Sequence, residues 1–435
     1  MTNIGPLFDA GKILSPQVRD SLTEAVRICR VLHASGHLAY FAGGCVRDAL
    51  LGRPPKDFDV ATDATPDRVR EIFGRGNTLA FGASFGVIGV LPPKATRKKR
   101  GSLQPTEVAT FRSDGEYSDG RRPDSVRFGD PENDALRRDF TVNGLFYDPD
   151  SERVIDFVNG QADLSIRRLR TIGAPQDRFE EDKLRMLRAV RFATTLEFDL
   201  EEATKDELIR RADEIEIVSG ERIGAEMRRV VSCSTAADGL QMILGTGLSR
   251  KVFPELAAAN TQQLRQRLDR RVSQDFVSSL ALVLLSLGND QPAPAKAVRN
   301  LADRWKLSGE EIRQVTAAMK HYRSIIDADS FAWSRLQPLL IDRDIEVTIR
   351  VAQAIAQADG DDGAGIERCK EALQWPQERL DPVPLVTGNQ LIQLGMQPGP
   401  TFRSWLAQVR SMQLDGELAD TDAAIEFVRE LASRK

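Results

Sequence analysis

The sequence predicts an α+β chain, with a mixed-sheet head at the N-terminus and an all-helical remainder. Three observations predict it. Short apolar, strand-like runs alternate with helix signals through the first 150 residues. From about residue 176 onward, apolar residues recur only at helical spacing. A double-glycine turn, Gly43-Gly44, separates a strand signal from a helix signal and is soon followed by Asp57-Phe58-Asp59-Val60.

Taken in order, residues 16–36 carry Val18, Leu22, Ala25, Val26, Cys29 and Leu32 on one helical face. His37 to Phe41 is a short strand entering the glycine turn, Arg47 to Leu51 starts a helix, and Phe58 to Ala61 is a second strand. Thr65 is an N-cap with Pro66 at the first helical position. Phe85 to Leu91 and Thr106 to Phe111 alternate as strands around one sheet. Helices are then expected over 181–193, 201–218, 221–232, 237–248, 274–287, 294–306 and 309–325. The stretches 360–365 and Pro382-Val383-Pro384 read as breaks.

At 435 residues the chain needs two to four domains. Charged residues make up 29% and hydrophobic ones 41%, a globular balance. The net charge of −4 means that any nucleic-acid contact must use local patches. No secretory leader and no apolar run of membrane-spanning length is visible, so a cytoplasmic protein without a membrane partner is expected. Cys29, Cys45, Cys233 and Cys369 show no metal-ligand spacing and fit free thiols in a reducing compartment. His33, His37 and His321 are the only histidines, which argues against a histidine-based metal or phosphohydrolase site.

Asp57 and Asp59, at i and i+2 on a strand, project to one face. Such a pair suits Mg²⁺, because hard oxygen ligands favour it and phosphoryl-type transfer needs charge neutralisation more than covalent help. Glu107, on the strand-like 106–111 segment, is the candidate third carboxylate. Gly43 and Gly44 let backbone N–H groups approach phosphates, and Arg47 adds positive charge. Taken singly, a Gly-Gly turn or an Asp-x-Asp is more often a plain loop feature.

In combination, Gly43-Gly44-x-Val46-Arg47-Asp48-x-Leu50-Leu51-Gly52 with Asp57-x-Asp59 resembles the first motif of the tRNA nucleotidyltransferase/poly(A) polymerase family, in its class II branch of polymerase-β-like nucleotidyltransferases. The resemblance continues in order through Arg137-Arg138-Asp139-Phe140-Thr141-Val142-Asn143, Asp156-Phe157-Val158-Asn159-Gly160-x-x-Asp163-Leu164, Glu181-Asp182-x-x-Arg185 and Glu221-Arg222-x-x-x-Glu226. Gly144 stands where the family often has alanine.

The resemblance implies a polymerase-β-like head over 1–150, a neck carrying a base template over 151–235, a body over 236–330 and a tRNA-binding tail over 331–435. It implies that Asp139 and Asn143 read the ribose 2′-hydroxyl while Arg138 meets phosphate. Asp182 and Arg185, placed on one helix, would read the Watson–Crick edge shared by cytosine and adenine; Arg188 and Arg191 would contact phosphate or RNA. Asp156 and Gly160 match a hinge, and Glu221, Arg222 and Glu226 a brace for the template helix.

The expected partners are tRNA, CTP and ATP, and the expected state a monomer or homodimer. CCA addition is favoured over poly(A) tailing or partial addition by a polar loop over 112–124, by the full template motif, and by Thr387-Gly388-x-x-Leu391-x-x-Leu394-Gly395-x-x-Pro398-Gly399-Pro400, which resembles a bacterial tail. A non-catalytic RNA-binding protein would be expected to have lost the carboxylates. The basic stretch Lys94 to Arg100 is expected to meet tRNA phosphates.

Overall fold

A computed structural model describes residues 6–9, 15–82, 86–93, 104–115, 125–287, 294–397 and 399–433. The basic stretch over 94–100 lies outside them, as does most of the 112–124 loop. The described chain divides into two compact units, Met1–Glu226 with Met242–Val252, and Met227–Gln241 with Phe253–Lys435.

In the first unit, α1 (Pro6–Asp9) and α2 (Pro16–Ala34) precede β1 (Ala39–Ala42) and α3 (Gly44–Leu50). Then come β2 (Asp59–Thr62), α4 (Pro66–Phe73), β3 (Thr78–Gly82), β4 (Val87–Val90) and β5 (Thr106–Thr110). The small ribbon of β6 (Arg112–Asp114) and β7 (Val126–Phe128) anchors the described ends of the polar loop. α5 (Pro131–Leu136), β8 (Leu145–Asp148) and β9 (Arg153–Asp156) complete the head.

Seven of the described strands form one sheet in the order β3-β4-β5-β2-β1-β8-β9. Only β2 and β5 are parallel; the other neighbours are antiparallel, so the sheet is mixed as expected. Burial alternates along β5, where Glu107 is exposed and Val108 buried, whereas β2 is buried throughout after the exposed Asp59. Phe8, Phe41, Phe58 and Tyr147 pack against one another, edge to face, tilted or stacked, on the apolar side. Thr65 caps α4 as expected, accepting from the Arg68 N–H.

Beyond the head, α6 (Gly160–Ser165), β10 (Arg168–Leu169) and α7 (Pro175–Glu181) lead to α8 (Leu184–Leu196). β11 (Asp199–Leu200) pairs in parallel with β10, a two-residue exception to the expectation of helix alone beyond residue 176. α9 (Glu202–Arg211) and α10 (Gly220–Val231) follow. One expectation needs correction. The predicted helix over 181–193 is broken, because Asp182 is extended (φ −150°, ψ 107°) and its carboxylate accepts the Leu184 N–H at 3.0 Å. An aspartate that bonds the backbone two residues on competes with helix and starts the next one.

The second unit is helical. Helix Gly309–Ile326 opens with a capping box between Ser308 and Glu311. Helix Ala364–Ala372 approaches the turn after it so closely that a Cβ on Gly365 would meet the Ile326 carbonyl oxygen at 2.0 Å. A small C-terminal core gathers Val386, Leu391, Phe402, Val409, Ala424 and Val428. Thr387 and Gln390 form a capping box there, so the glycine-rich tail motif has structural work of its own. All four cysteines are free thiols. Among the described residues no helix is long and apolar enough to cross a membrane.

Candidate active site

Asp59 and Glu107 share one open face of the sheet, while Asp57 lies just before β2, which begins at Asp59, and its charge acts on Asp59. β2 and β5 pair with Val60 opposite Val108, which sets Asp59 level with Glu107 on the neighbouring strand. All three are exposed, whereas Phe58 between the aspartates is buried. Although Asp59 is open to water on one side, it is set amid protein. Lost hydration, then the charges of Asp57 and Glu107, push its carboxyl up to about 6 against the pull of Arg138. Among the described residues no three acidic, histidine or cysteine side chains are drawn together tightly enough to ligate one ion. The trio is therefore a cluster of like charges. Its donor set of hard carboxylate oxygens and its uncompensated charge fit a divalent cation of the Mg²⁺ type.

Gly43 and Gly44 stand where β1 turns into α3. Gly43 needs its positive φ of 69°, and a Cβ there would meet Arg138 Nη1 at 2.9 Å. The glycine thus admits a guanidinium as well as opening the turn. Arg138 also donates to Asp134 at 2.9 Å and to the Asn143 carbonyl at 3.2 Å, over the Phe146 ring. Arg47 is buried rather than presented to solvent: it donates to Asn143 Oδ1 at 2.5 Å and to Asp48 at 2.7 Å.

Asp139 and Asn143 meet at 3.0 Å, where the Asn143 amide donates to Asp139. The Phe140 N–H and Arg188 also donate to Asp139, the latter at 2.8 Å. Burial alone would raise the Asp139 carboxyl, but Arg188 and the Asn143 amide outweigh it and hold it down at about 2. The 3₁₀ turn Thr141–Asn143 is fixed from behind: Thr141 donates to Asp163, and a Cβ on Gly160 would meet the Thr141 carbonyl oxygen at 2.3 Å. Asp156 accepts the N–H groups of Val158, Gly160 and Gln161. The departure at Gly144 also has a packing reason, since a Cβ there would lie 2.7 Å from Val158.

Asp182 and Arg185 sit across the break between α7 and α8 and do not pair with each other as a surface ion pair would. Arg222 of α10 grips both Asp182 oxygens, at 3.1 and 2.6 Å. Arg185 donates to Glu181 and to the Arg178 and Arg137 carbonyls, and is buried. Arg191 and Arg188 both reach Glu226 of α10.

Sequence reasoning missed Asp134 and Phe192. Asp134, 1% exposed, receives both Arg137 and Arg138. Burial would raise its carboxyl, but those two cations keep it below the usual carboxylate range. Its spacing, three and four residues before the arginines on a helix, was a usable signal.

These features define a nucleotidyltransferase, and the matches to known proteins agree. The "Poly A polymerase head domain" profile matches residues 39–170, "Probable RNA and SrmB- binding site of polymerase A" matches 197–260, and tRNA nucleotidyltransferase domain 2 matches 278–428. The CCA-adding enzyme of Latilactobacillus sakei subsp. sakei (strain 23K) is 34% identical over 406 residues, covering 92% of this chain and 96% of its own. That of Streptococcus thermophilus (strain CNRZ 1066) is 32% identical over 93% of this chain and 96% of its own. The Bacillus stearothermophilus CCA-adding enzyme, solved in complex with CTP, superposes with a TM-score of 0.75 at 26% identity, covering 97% of this chain and 99% of that one. The Thermotoga maritima CCA-adding enzyme, solved with tRNA, shares the fold with a TM-score of 0.62 at 19% identity, covering 96% of each chain. The chain belongs to the CCA-adding enzyme family, the class II tRNA nucleotidyltransferases.

Proposed function

We propose that the chain adds C, C and A to the 3′ end of tRNA, taking CTP and ATP and releasing pyrophosphate. The observation that carries this is the likeness to CCA-adding enzymes along nearly its whole length, helical half included. The arrangement of the first unit supports the chemistry. Asp57, Asp59 and Glu107 would hold Mg²⁺. When bound, such ions neutralise triphosphate charge and make the attacking hydroxyl more acidic.

The protein's own residues do the rest. Gly43 and Gly44 leave room for phosphates at the turn, and Arg47 and Arg138, fixed by carboxylates, lend positive field beside them. Asp139 and Asn143, oriented by Arg188 and Arg47, offer an acceptor and an amide to the ribose 2′-hydroxyl, which both donates and accepts. Asp182 supplies an acceptor and Arg185 a donor. Cytosine and adenine each set an exocyclic amine beside a ring-nitrogen acceptor, so both bases match. Uracil and guanine present the reverse pattern and leave polar groups unpaired, which is where strong discrimination arises. Arg188 and Arg191 steady this wall through Glu226. The tRNA 3′-hydroxyl attacks the α-phosphate in line, and pyrophosphate leaves.

In this reading 1–150 is the catalytic head, 151–235 the neck, 236–330 the body and 331–435 the tail that meets tRNA by backbone shape. The free thiols fit a cytoplasmic protein. The test is to supply tRNA ending at its discriminator base and to size the products. Addition of C, C and A predicts that CTP alone extends by two and CTP with ATP by three. Long A ladders would establish tailing instead, and no extension would overturn the reading.

A further inference from the structure

We propose that Phe192 is a positioning residue for ribose recognition, a ring on which three arginines converge, two of which hold Asp139 and Asn143. The inference rests on the function just proposed. Phe192 lies on α8, is buried, and packs edge to face on Phe140, the residue that opens the 3₁₀ turn of Asn143. The Arg191 guanidinium lies 3.7 Å from its ring centroid, and those of Arg47 and Arg188 lie 5.2 Å away. They come from two elements, α3 and α8.

Three like charges around one apolar side chain repel one another. Two things offset this. The ring presents electron-rich faces to the cations. Each cation also has its own anion: Arg47 has Asp48, Arg188 has Asp139, and Arg191 has Glu226. Arg47 and Arg188 are in turn the groups that orient the ribose readers, through Asn143 Oδ1 and Asp139 Oδ2. The ring itself touches no nucleotide in this account. It sets the planes of two guanidiniums, and through them the amide and the carboxylate that face the 2′-hydroxyl. An aliphatic side chain of similar bulk fills the space but has no face for the cations.

The readout is the kcat/KM preference for CTP over dCTP on tRNA lacking its CCA end. Phe192→Leu is expected to lower that preference about tenfold, mainly through KM for CTP. Phe192→Tyr, which keeps the ring, should restore most of it. Leu196→Ala, a buried position on the same helix, serves as the control for core damage: it should lower the melting midpoint and leave the preference as it was. A folded Phe192→Leu protein with wild-type preference would overturn the inference, as would an equal loss in Leu196→Ala. If Phe192→Leu does not fold, Phe192→Met is compared with Phe192→Tyr; equal preference in that pair overturns it too. A wild-type protein that incorporates no CTP overturns the proposed function and this inference together, whereas discrimination unmoved by Phe192 overturns this inference alone.

Discussion

Asp59 and Asp139 are the same residue type in the same unit, and their surroundings push them in opposite directions. Asp59 stands beside Asp57 and with Glu107 on an open sheet face, and its carboxyl rises to about 6. Asp139 is buried among Arg188, Asn143 and a backbone N–H, and its carboxyl falls to about 2. The first region is incomplete electrostatically and asks for a cation from outside. The second is complete within the chain. In the proposed reading catalysis and selection are thus built differently: the carboxylate face would take a metal and phosphates from outside, while the residues that would read ribose and base are already joined to one another within the chain.

The largest expected effect comes from the incomplete region. Asp59→Asn should cost on the order of a thousandfold in incorporation of both CTP and ATP, by analogy with losing one preorganised charge partner. Its melting midpoint should hold or rise, since a like charge is relieved; activity within tenfold of wild type would break the comparison. In the complete region the order is reversed. Arg188→Met leaves Asp139 buried without its cation and should lose about 3 kcal/mol of stability in denaturant titration; a loss below about 1 kcal/mol would count against a self-contained wall.

A backbone constraint comes next. Gly160→Ala forces a methyl onto the Thr141 carbonyl and should lose about 2 kcal/mol. Acid titration sharpens the contrast further. Asp139, depressed below its unfolded value of 3.8, contributes stability that is present above about pH 4 and lost as pH falls through about 2. Asp59, raised, acts in the opposite sense: without metal, its ionisation between 3.8 and about 6 weakens the fold. The Asp139→Asn protein should therefore lose less stability between pH 4 and pH 2 than wild type. The smallest structural change with a functional readout is Arg222→Lys, which replaces the two-pronged grip on Asp182 with a point contact. It should relax discrimination against UTP several-fold with little change in melting midpoint.

How much of this could be read from residues alone follows the same divide. The pairing of Asp59 with Glu107 was legible because strand alternation fixes which side chains share a face, whereas Asp57, expected on the same strand, lies just before it. The mixed sheet and the run of later helices were legible from periodicity. The wall was legible in its members but not in its partners. Arg47 meets Asn143 across nearly a hundred positions, and Arg222 meets Asp182 across forty; no local pattern encodes either contact. The helix break at Asp182 was hidden by apolar residues that keep helical phase on both sides of it. Phe192 was hidden because a phenylalanine on a helix reads as ordinary core until the arginines around it are placed.

The central claim is that the chain's fold is electrostatically finished at Asp139 and unfinished at Asp59. The most direct measurement is thermal unfolding at pH 7 with increasing Mg²⁺, for wild type and Asp59→Asn. At roughly ten times its dissociation constant, a cation bound only by the folded state adds about 1.4 kcal/mol. The account predicts a rising midpoint for wild type, no rise for Asp59→Asn, and an undiminished rise for Arg222→Lys. Equal rises in wild type and Asp59→Asn, or none in either, would contradict it.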